Sequence, residues 1–541
     1  MTTAVELLRQ GRRDEFWQRH CGFFDLTTGE FTAIQARLLT EQLHLLADSV
    51  LGRKIVGRDV PLNPDEFRRV TPLTTYKDYL PYLVEQREDV LPAKPVCWVR
   101  TSGSTGEYPC KWVPVSATYH SQIAKAMVTL LTLAGAKSKG DIRIEEGDTL
   151  FYTAAPPPYL TGTGMRVYHT EFPFRAVPPV DEAEKMTFQE RVQQGFLRSM
   201  GSGIDYFVGV ASVLLRMGEA FTSGTRQMSL SPGLLRPATI YQLTKAYLAS
   251  KLNGRDVLPK DIWRPKGIVA SGMDVQVYKQ RIKELWGRDP LEAYACTEFG
   301  SIAYQAWGEK RRGLTFVPDS AFWEFLPAAD YRLWRQNPSY NPKTLLLDEV
   351  QPGEYVPVAT SLGGGAFVRY VLTDLIRVIS LTDDEMNIKL PQIRVESRAD
   401  NVINLGSMVV LSERALWQAI GQLDLGTVNW SARKEYGSDH GEPTIRFYVE
   451  GENIKPVALA TELHEALIET HEDYASFNAI MGTNPIRVTP LSPGTYEGYL
   501  FEKQAEDADL GQLKPPRMQP SDQVLKRLLA ISAGLDGRGV E

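Results

Sequence analysis

The residue types best suited to chemistry cluster in Val99-Arg100-Thr101-Ser102-Gly103-Ser104-Thr105-Gly106, with Lys111 five positions past the last glycine. Gly103 and Gly106 can take backbone angles that turn several amide N–H groups toward one anion. Ser102, Ser104 and Thr105 add hydroxyl donors, and Lys111 adds a mobile positive charge. The apolar run Val96-Cys97-Trp98-Val99 reads as a short buried strand, and a helix-like stretch opens near Ser116. A strand, a glycine–hydroxyl loop and a lysine in that order suit a phosphate cradle. An ordinary surface turn has the same composition. A kinase-like or GTPase-like phosphate loop is excluded, because its glycine spacing and its Gly-Lys-Ser/Thr ending are both missing.

Three more clusters carry groups of the right kind. Tyr294-Ala295-Cys296-Thr297-Glu298-Phe299-Gly300 closes an apolar run. Tyr294 there suits stacking on a purine, and Glu298 suits a magnesium ion between phosphates. A solvated glutamate at a strand end is the competing reading. Ala270-Ser271-Gly272-Met273 ends another apolar run, where backbone groups could face an adenine edge. Asp374 sits between Leu372-Thr373 and Leu375 and needs a partner, since an unpaired buried carboxylate is costly. A ribose diol would serve, and so would a salt bridge to Arg377 or Arg369. Arg398 and Asp400 lie where the composition changes; they read as ribose contact and hinge, or as solvated linker charges.

These clusters need a scaffold. At 541 residues the chain is too long for one core. Its first stretch is mainly helical, and Leu38, Leu39, Leu43, Leu45 and Leu46 recur at helical spacing as core. From the glycine loop onward, apolar runs (149–153, 206–210, 267–270, 291–295) alternate with amphipathic stretches (188–200, 240–252, 275–286). That alternation predicts a layered α/β domain whose strand-end loops make the site. More strands are expected at 314–317, 322–325, 355–360 and 367–371. After Ser397 the pattern resets: a helix over 411–423, a strand over 444–449 and a helix over 457–472. The expected division is a large N-terminal domain, 1–397, and a smaller α+β domain, 398–541.

A formal net charge of -6 and the lack of basic blocks argue against nucleic-acid and membrane-surface partners. The four cysteines (Cys21, Cys97, Cys110, Cys296) form no CxxC pair, which fits a reducing compartment and gives no disulfide framework or zinc site. The mixed charges of the first twenty residues do not suit a signal peptide. No apolar run is long enough to span a bilayer. A soluble, cytoplasmic protein is expected, with its oligomeric state open and a monomer admissible.

In combination, the clusters resemble the adenylate-forming superfamily of acyl-CoA synthetases, peptide-synthetase adenylation domains and luciferases. The order matches: TSGSTG with a later lysine, Tyr-x-x-Thr-Glu, Tyr-x-x-x-Asp, then Arg-x-Asp before a small C-terminal domain. Phe322-Trp323-Glu324-Phe325-Leu326-Pro327 is similar to the "YFEFLP" segment of the plant auxin-responsive Gretchen Hagen acyl acid amido synthetases. Ile262-Trp263-Arg264-Pro265, Ser271-Gly272-Met273, Ser492-Pro493-Gly494-Thr495-Tyr496-Glu497 and Gly511-Gln512-Leu513-Lys514-Pro515-Pro516-Arg517 agree with that family too. The chain is identified as a member of it or a close relative, from about Leu73 to Arg517, a bacterial member being compatible. Two departures stand out. The loop runs two residues longer before Lys111 than the family's Gly-Glu-Arg-Lys, and Val371 and Thr373 replace an arginine and a glycine of "YRYRxGD".

The resemblance implies an ATP-dependent enzyme that turns a carboxylic acid into an acyl adenylate, with pyrophosphate released. Transfer to an amine, typically of an amino acid, follows. It implies ATP and Mg²⁺ as cofactors, and an ATP site made of Thr101, Ser102, Gly103, Ser104, Thr105, Gly106, Ser271, Gly272, Met273, Tyr294, Cys296, Thr297, Glu298, Asp374 and Arg398. Glu298 is the magnesium residue, Lys111 and Lys514 the catalytic lysines, and Asp400 the hinge of a mobile C-terminal domain. Tyr152, Met165, Arg166, Tyr168, His169, Val210, Val213 and Leu214 fall where the family lines its acid pocket. The alternatives are an acyl-CoA ligase of the phenylacetate type and a non-catalytic nucleotide-binding protein of the same fold.

Overall fold

The computed structural model describes residues 2–57, 59–61, 63–101, 110–224, 237–272, 275–308, 311–337, 339–399, 402–405, 409–423, 425, 428–436, 443–481, 483–505 and 515–536. Residues 1–372 with 376–395 make one compact unit, and 373–375 with 396–541 make another.

The first unit opens with helices. Thr28–Asp48 starts at a capping box, with Thr27 and Glu30 satisfying each other's backbone N–H groups. Its leucine stripe is core as expected at Leu39, Leu43 and Leu46, whereas Leu45 is on the exposed side. A hairpin follows, β1 (Cys97–Arg100) and β2 (Trp112–Val115), in register Val99 to Val113 and Arg100 to Trp112. Among the described residues, twelve strands then form one mixed sheet. β3 (Thr149–Phe151), β4 (Arg175–Val177), β5 (Tyr206–Val210), β6 (Gly267–Ser271) and β7 (Leu291–Cys296) run parallel. β3 and β6, buried along nearly their whole length, read as continuous apolar runs, and helices connect the parallel strands. β8 (Gly300–Gln305), β9 (Leu314–Phe316), β10 (Phe322–Pro327), β11 (Gly353–Thr360), β12 (Tyr370–Val371), β13 (Asp374–Ser380) and β14 (Gln392–Arg398) complete the sheet. In a sheet of this kind the crevice past the carboxyl ends of the parallel strands is where ligands bind. Tyr152, Val210, Ser271 and Cys296 all stand at such ends.

The strand expected over 367–371 is shorter, only Tyr370–Val371. Arg369 just before it takes φ +43, a left-handed conformation that breaks the extended run.

The second unit has a two-stranded piece, β15 (Ile403–Leu405) with β16 (Val409–Leu411), and a three-stranded sheet. In the latter, β17 (Trp430–Tyr436) pairs antiparallel with β18 (Pro443–Glu450), which pairs in parallel with β19 (Ile486–Leu491). The helices Thr495–Ala505 and Asp522–Asp536 close a cluster of Tyr448, Leu491, Tyr496, Leu500 and Leu528. Arg517 stacks on Trp417, Trp430 and Tyr496 at 5.0, 5.6 and 6.0 Å and donates to the Trp430 carbonyl, tying the C-terminal strap to the sheet. Among the described residues no helix is long and apolar enough to cross a membrane.

One core residue gives a pH prediction. His20, 1% exposed on the helix Arg13–Cys21, lies with Nδ1 3.2 Å from Thr129 Oγ1. Burial, then the Lys125 and Arg19 charges, lower its pKa from 6.5 to about 3. The unfolded chain therefore takes up a proton that the folded chain refuses. Stability from neutral His20 is complete above pH 6.5 and is lost as pH falls toward 3. At about 1.4 kcal/mol per unit, the loss reaches about 2 kcal/mol near pH 5. His20→Gln should flatten the fall of Tm over that range; an unchanged slope would assign the acid sensitivity to other groups.

Candidate active site

The hairpin register brings the glycine loop to a closed neck. The Thr101 N–H donates to the Lys111 carbonyl and the Lys111 N–H donates to Thr101 Oγ1, both at 3.0 Å. Ser102, Gly103, Ser104, Thr105 and Gly106 lie outside the described residues. Lys111 stands at the neck itself, immediately before β2. Its Nζ donates to the Tyr370 hydroxyl at 3.2 Å and lies 3.8 Å from Glu298 Oε1. The Tyr370 hydroxyl in turn donates to Glu298 Oε1 at 3.2 Å. Burial first, and then the Glu298 carboxylate, hold the Tyr370 hydroxyl well above its ordinary pKa, so it keeps its proton and remains a donor. The Lys111 ammonium also lies over the rings of Tyr76 and Tyr370, at 5.5 and 5.9 Å. Lys111 thus faces Glu298 across the Tyr370 hydroxyl.

Glu298 is carried on the turn between β7 and β8. A register shift at Tyr294/Ala295 re-aims the end of β7, as bulges beside functional sites commonly do. The turn is held from below by the helix Ala117–Gly135, whose Tyr119 hydroxyl donates to the Thr297 carbonyl at 2.9 Å. Gly300 completes the turn at φ +68, and a Cβ there would lie 2.8 Å from the Tyr119 ring. Gly300→Ala should therefore cost about 1–3 kcal/mol, from the left-handed angle and the displaced ring together. A drop in Tm with weakened nucleotide binding is expected; a native Tm would show that the turn can relax. Tyr294 is buried, Ser271 and Cys296 are half-buried, and Gly272 takes φ +126 after β6. Met273 lies outside the described residues.

The donor set bears on magnesium. Among the described residues no three carboxylate, imidazole or thiol groups converge. Magnesium is commonly held by one or two carboxylates together with substrate phosphates, and Glu298 beside a phosphate-type loop fits that mode.

Of the expected acid-pocket residues, Tyr152 and Leu214 are fully buried and Met165 nearly so. Tyr168 is buried with its hydroxyl donating to the Phe174 carbonyl at 3.1 Å. Val210 ends β5 opposite Ser271; its side chain and that of Val213 lie outside the described set. Arg166 forks onto Glu184 with two 2.6 Å hydrogen bonds at the surface, and His169 is exposed beside it. Arg100, at the end of β1, stacks its guanidinium on Tyr159 at 5.0 Å.

In the second unit, Arg398 donates to Asp374 Oδ1 at 3.0 Å and to Thr373 Oγ1 at 2.9 Å. Thr373, where the family pattern has glycine, takes φ +59. Of the two arginines that offered Asp374 a salt bridge as the alternative to a ribose diol, Arg377 donates to Glu354 and Arg369 to Glu324. Asp400 and Lys514 lie outside the described residues.

Two family models match the chain: the GH3 family N-terminal domain over residues 21–168 and the GH3 family central domain over 314–398. Among solved structures, the chain is similar to AtGH3.15 acyl acid amido synthetase in complex with 2,4-DB. There the TM-score is 0.65 at 18% identity, with 94% of each chain covered. It is also similar to 2-hydroxyisobutyryl-CoA ligase in the postadenylation state in complex with 2-HIB-AMP. That match has a TM-score of 0.60 at 13% identity, covering 93% of this chain and 92% of the other. At these identities the likeness shows the fold, that of adenylate-forming enzymes. No curated protein sequence matches.

Proposed function

Because this chain belongs to the GH3 family of the adenylate-forming superfamily, we propose that it is an ATP-dependent acyl acid amido synthetase. In the first half-reaction a carboxylate oxygen attacks the α-phosphorus of ATP and pyrophosphate leaves. In the second, an amine nitrogen, typically of an amino acid, attacks the acyl carbon and AMP leaves.

The observation that carries this reading is the Lys111–Tyr370–Glu298 cluster, set at the neck of the glycine loop and the carboxyl end of β7. The first step brings an anion onto a polyanion. At about 4 Å and an effective dielectric near 20, each unit-charge pair costs roughly 4 kcal/mol. Lys111 offers a positive charge at the mouth of the loop, and Tyr370 a hydroxyl that keeps its proton. Preorganised groups of this kind need no rearrangement as charge moves onto the leaving pyrophosphate. Glu298 would hold magnesium, which when bound supplies neutralisation of the phosphate oxygens. Lys514 is the candidate for a second lysine brought to the phosphate, with Asp400 as the hinge of the smaller domain.

ATP–pyrophosphate exchange over a panel of carboxylic acids tests the reading. Acid-dependent exchange followed by amide formation with an amino acid is expected. Exchange followed by thioester with coenzyme A, and no amide, would make it an acyl-CoA ligase. Nucleotide binding with no exchange for any acid would leave a binding protein.

A further inference from the structure

β10 carries one charge in an apolar run, Phe322-Trp323-Glu324-Phe325, and Glu324 is fully buried. Its partner is Arg369, also fully buried. The contact is two-pronged: Arg369 Nε donates to Glu324 Oε1 at 3.0 Å and Nη2 donates to Oε2 at 2.8 Å. Thr344 joins both, donating its hydroxyl to Glu324 Oε2 at 2.5 Å and accepting from Arg369 Nη2 at 3.0 Å. Nη1 donates to the carbonyls of Arg68, at 2.6 Å, and Thr71.

Such an arrangement is poor value as a stabiliser. Desolvating two charges offsets most of their attraction, and an apolar pair of similar volume often serves a core as well or better. The pair does something an apolar pair cannot: it anchors the residue that turns left-handed immediately before Tyr370. Arg369 sits at φ +43, which a non-glycine residue adopts only when its surroundings enforce it. The residue after it is Tyr370, whose hydroxyl lies between Lys111 and Glu298. The backbone is clasped on both sides, with Thr74 N–H donating to the Arg369 carbonyl and Val371 N–H donating to the Thr74 carbonyl, each at 2.9 Å. Phe367 and Tyr79 wall the Tyr370 ring at 4.8 and 6.2 Å.

We propose that Glu324, with Thr344, is a positioning residue that acts through Arg369 to aim the Tyr370 hydroxyl at Lys111 and Glu298. Nucleotide then meets a preset constellation. The proposal rests on the adenylating reading of the site, and it assigns the charge of β10 to the geometry of that site rather than to the strength of the core.

The test separates placement from stability. In Glu324→Leu/Arg369→Met the charges are replaced by apolar groups of similar volume, and Tm should stay within about 3 °C of the native value. KM for ATP in pyrophosphate exchange should nonetheless rise by about tenfold, matching Tyr370→Phe. Combining the apolar pair with Tyr370→Phe should add little to either, because both act through one hydroxyl. Glu324→Asp, which keeps the charge, should recover part of the loss. A well-folded apolar pair with native KM overturns the proposal, and so do losses that multiply with Tyr370→Phe. If the apolar pair does not fold, Thr344→Val is the second probe, with a smaller rise in KM at near-native Tm expected and an unchanged KM counting against. A crystal structure of whichever variant folds reads the Tyr370 hydroxyl directly, without nucleotide. If the native protein neither binds ATP nor exchanges, the function fails, while this structure still decides the positioning claim.

Discussion

Glu298→Gln is expected to lower ATP–pyrophosphate exchange by at least about a hundredfold, equivalent to about 2.7 kcal/mol of transition-state stabilisation, in a protein that still folds. Glutamine keeps the shape and one acceptor oxygen, so the Tyr370 hydroxyl retains a partner at the position now 3.2 Å away. The negative charge is what disappears. Lys111 Nζ, 3.8 Å from Glu298, then faces a neutral amide, and on the proposed reading the phosphates lose the carboxylate that would share a divalent cation with them. Binding and chemistry should separate in the kinetics. Nucleotide affinity in the absence of magnesium should change little or improve, because a repelling charge has gone, while the magnesium-dependent rate collapses. Calorimetric titration with ATP, with and without magnesium, together with exchange kinetics, reads both. Exchange within threefold of the native enzyme would exclude Glu298 as the metal residue.

How far this site was legible in the sequence depends on how far apart its parts lie in the chain. Four of the five parallel strands are legible as short, mainly apolar runs, whereas β4, three residues opening on Arg175, carries no such signal. The ends of β6 and β7 mark Ser271 and Cys296–Glu298, and their roles rest on the resemblance. Lys111 is less legible. Its spacing from the glycines departs from the family pattern, and only the register of Arg100 opposite Trp112 puts it at the neck of the loop. Tyr370 is legible only as the tyrosine of Tyr-x-x-x-Asp, because its position depends on Arg369 adopting φ +43, which depends in turn on a carboxylate 45 residues away. No local propensity encodes such a turn at an arginine; tertiary enforcement does. Arg166 and His169 are residue types that do chemistry, in a segment expected to line a pocket; Arg166 forks onto Glu184, and His169 is exposed with its ring edge-on to Tyr168 at 6.2 Å. Residue type and neighbourhood in sequence do not say which face of a short helix a side chain leaves by.

Lys111→Met gives the second large effect, and its argument turns on what the lysine neutralises at each stage. Without nucleotide the ammonium balances Glu298 across 3.8 Å, with Tyr370 between them. When the triphosphate arrives, the same ammonium faces several further negative charges in a partly water-excluded crevice. At an effective dielectric near 20, one unit-charge pair at about 4 Å is worth roughly 4 kcal/mol, and solvent screening at the loop mouth reduces this. A loss of about a hundredfold in kcat/KM for ATP is the expected outcome for Lys111→Met, measured by exchange at fixed acid and magnesium. Methionine fills the space over the Tyr76 and Tyr370 rings, so the fold and the aromatic floor should persist. Arginine should not rescue fully, because a planar fork cannot replace a point charge at the hairpin neck. The Lys111→Met/Glu298→Gln pair carries the sharper content. Each single change strands the other's charge, so the double variant should lose much less than the product of the two. A full product would mean that lysine and carboxylate serve the phosphates independently, and the contact between them in the free protein would have no part in preparing the site.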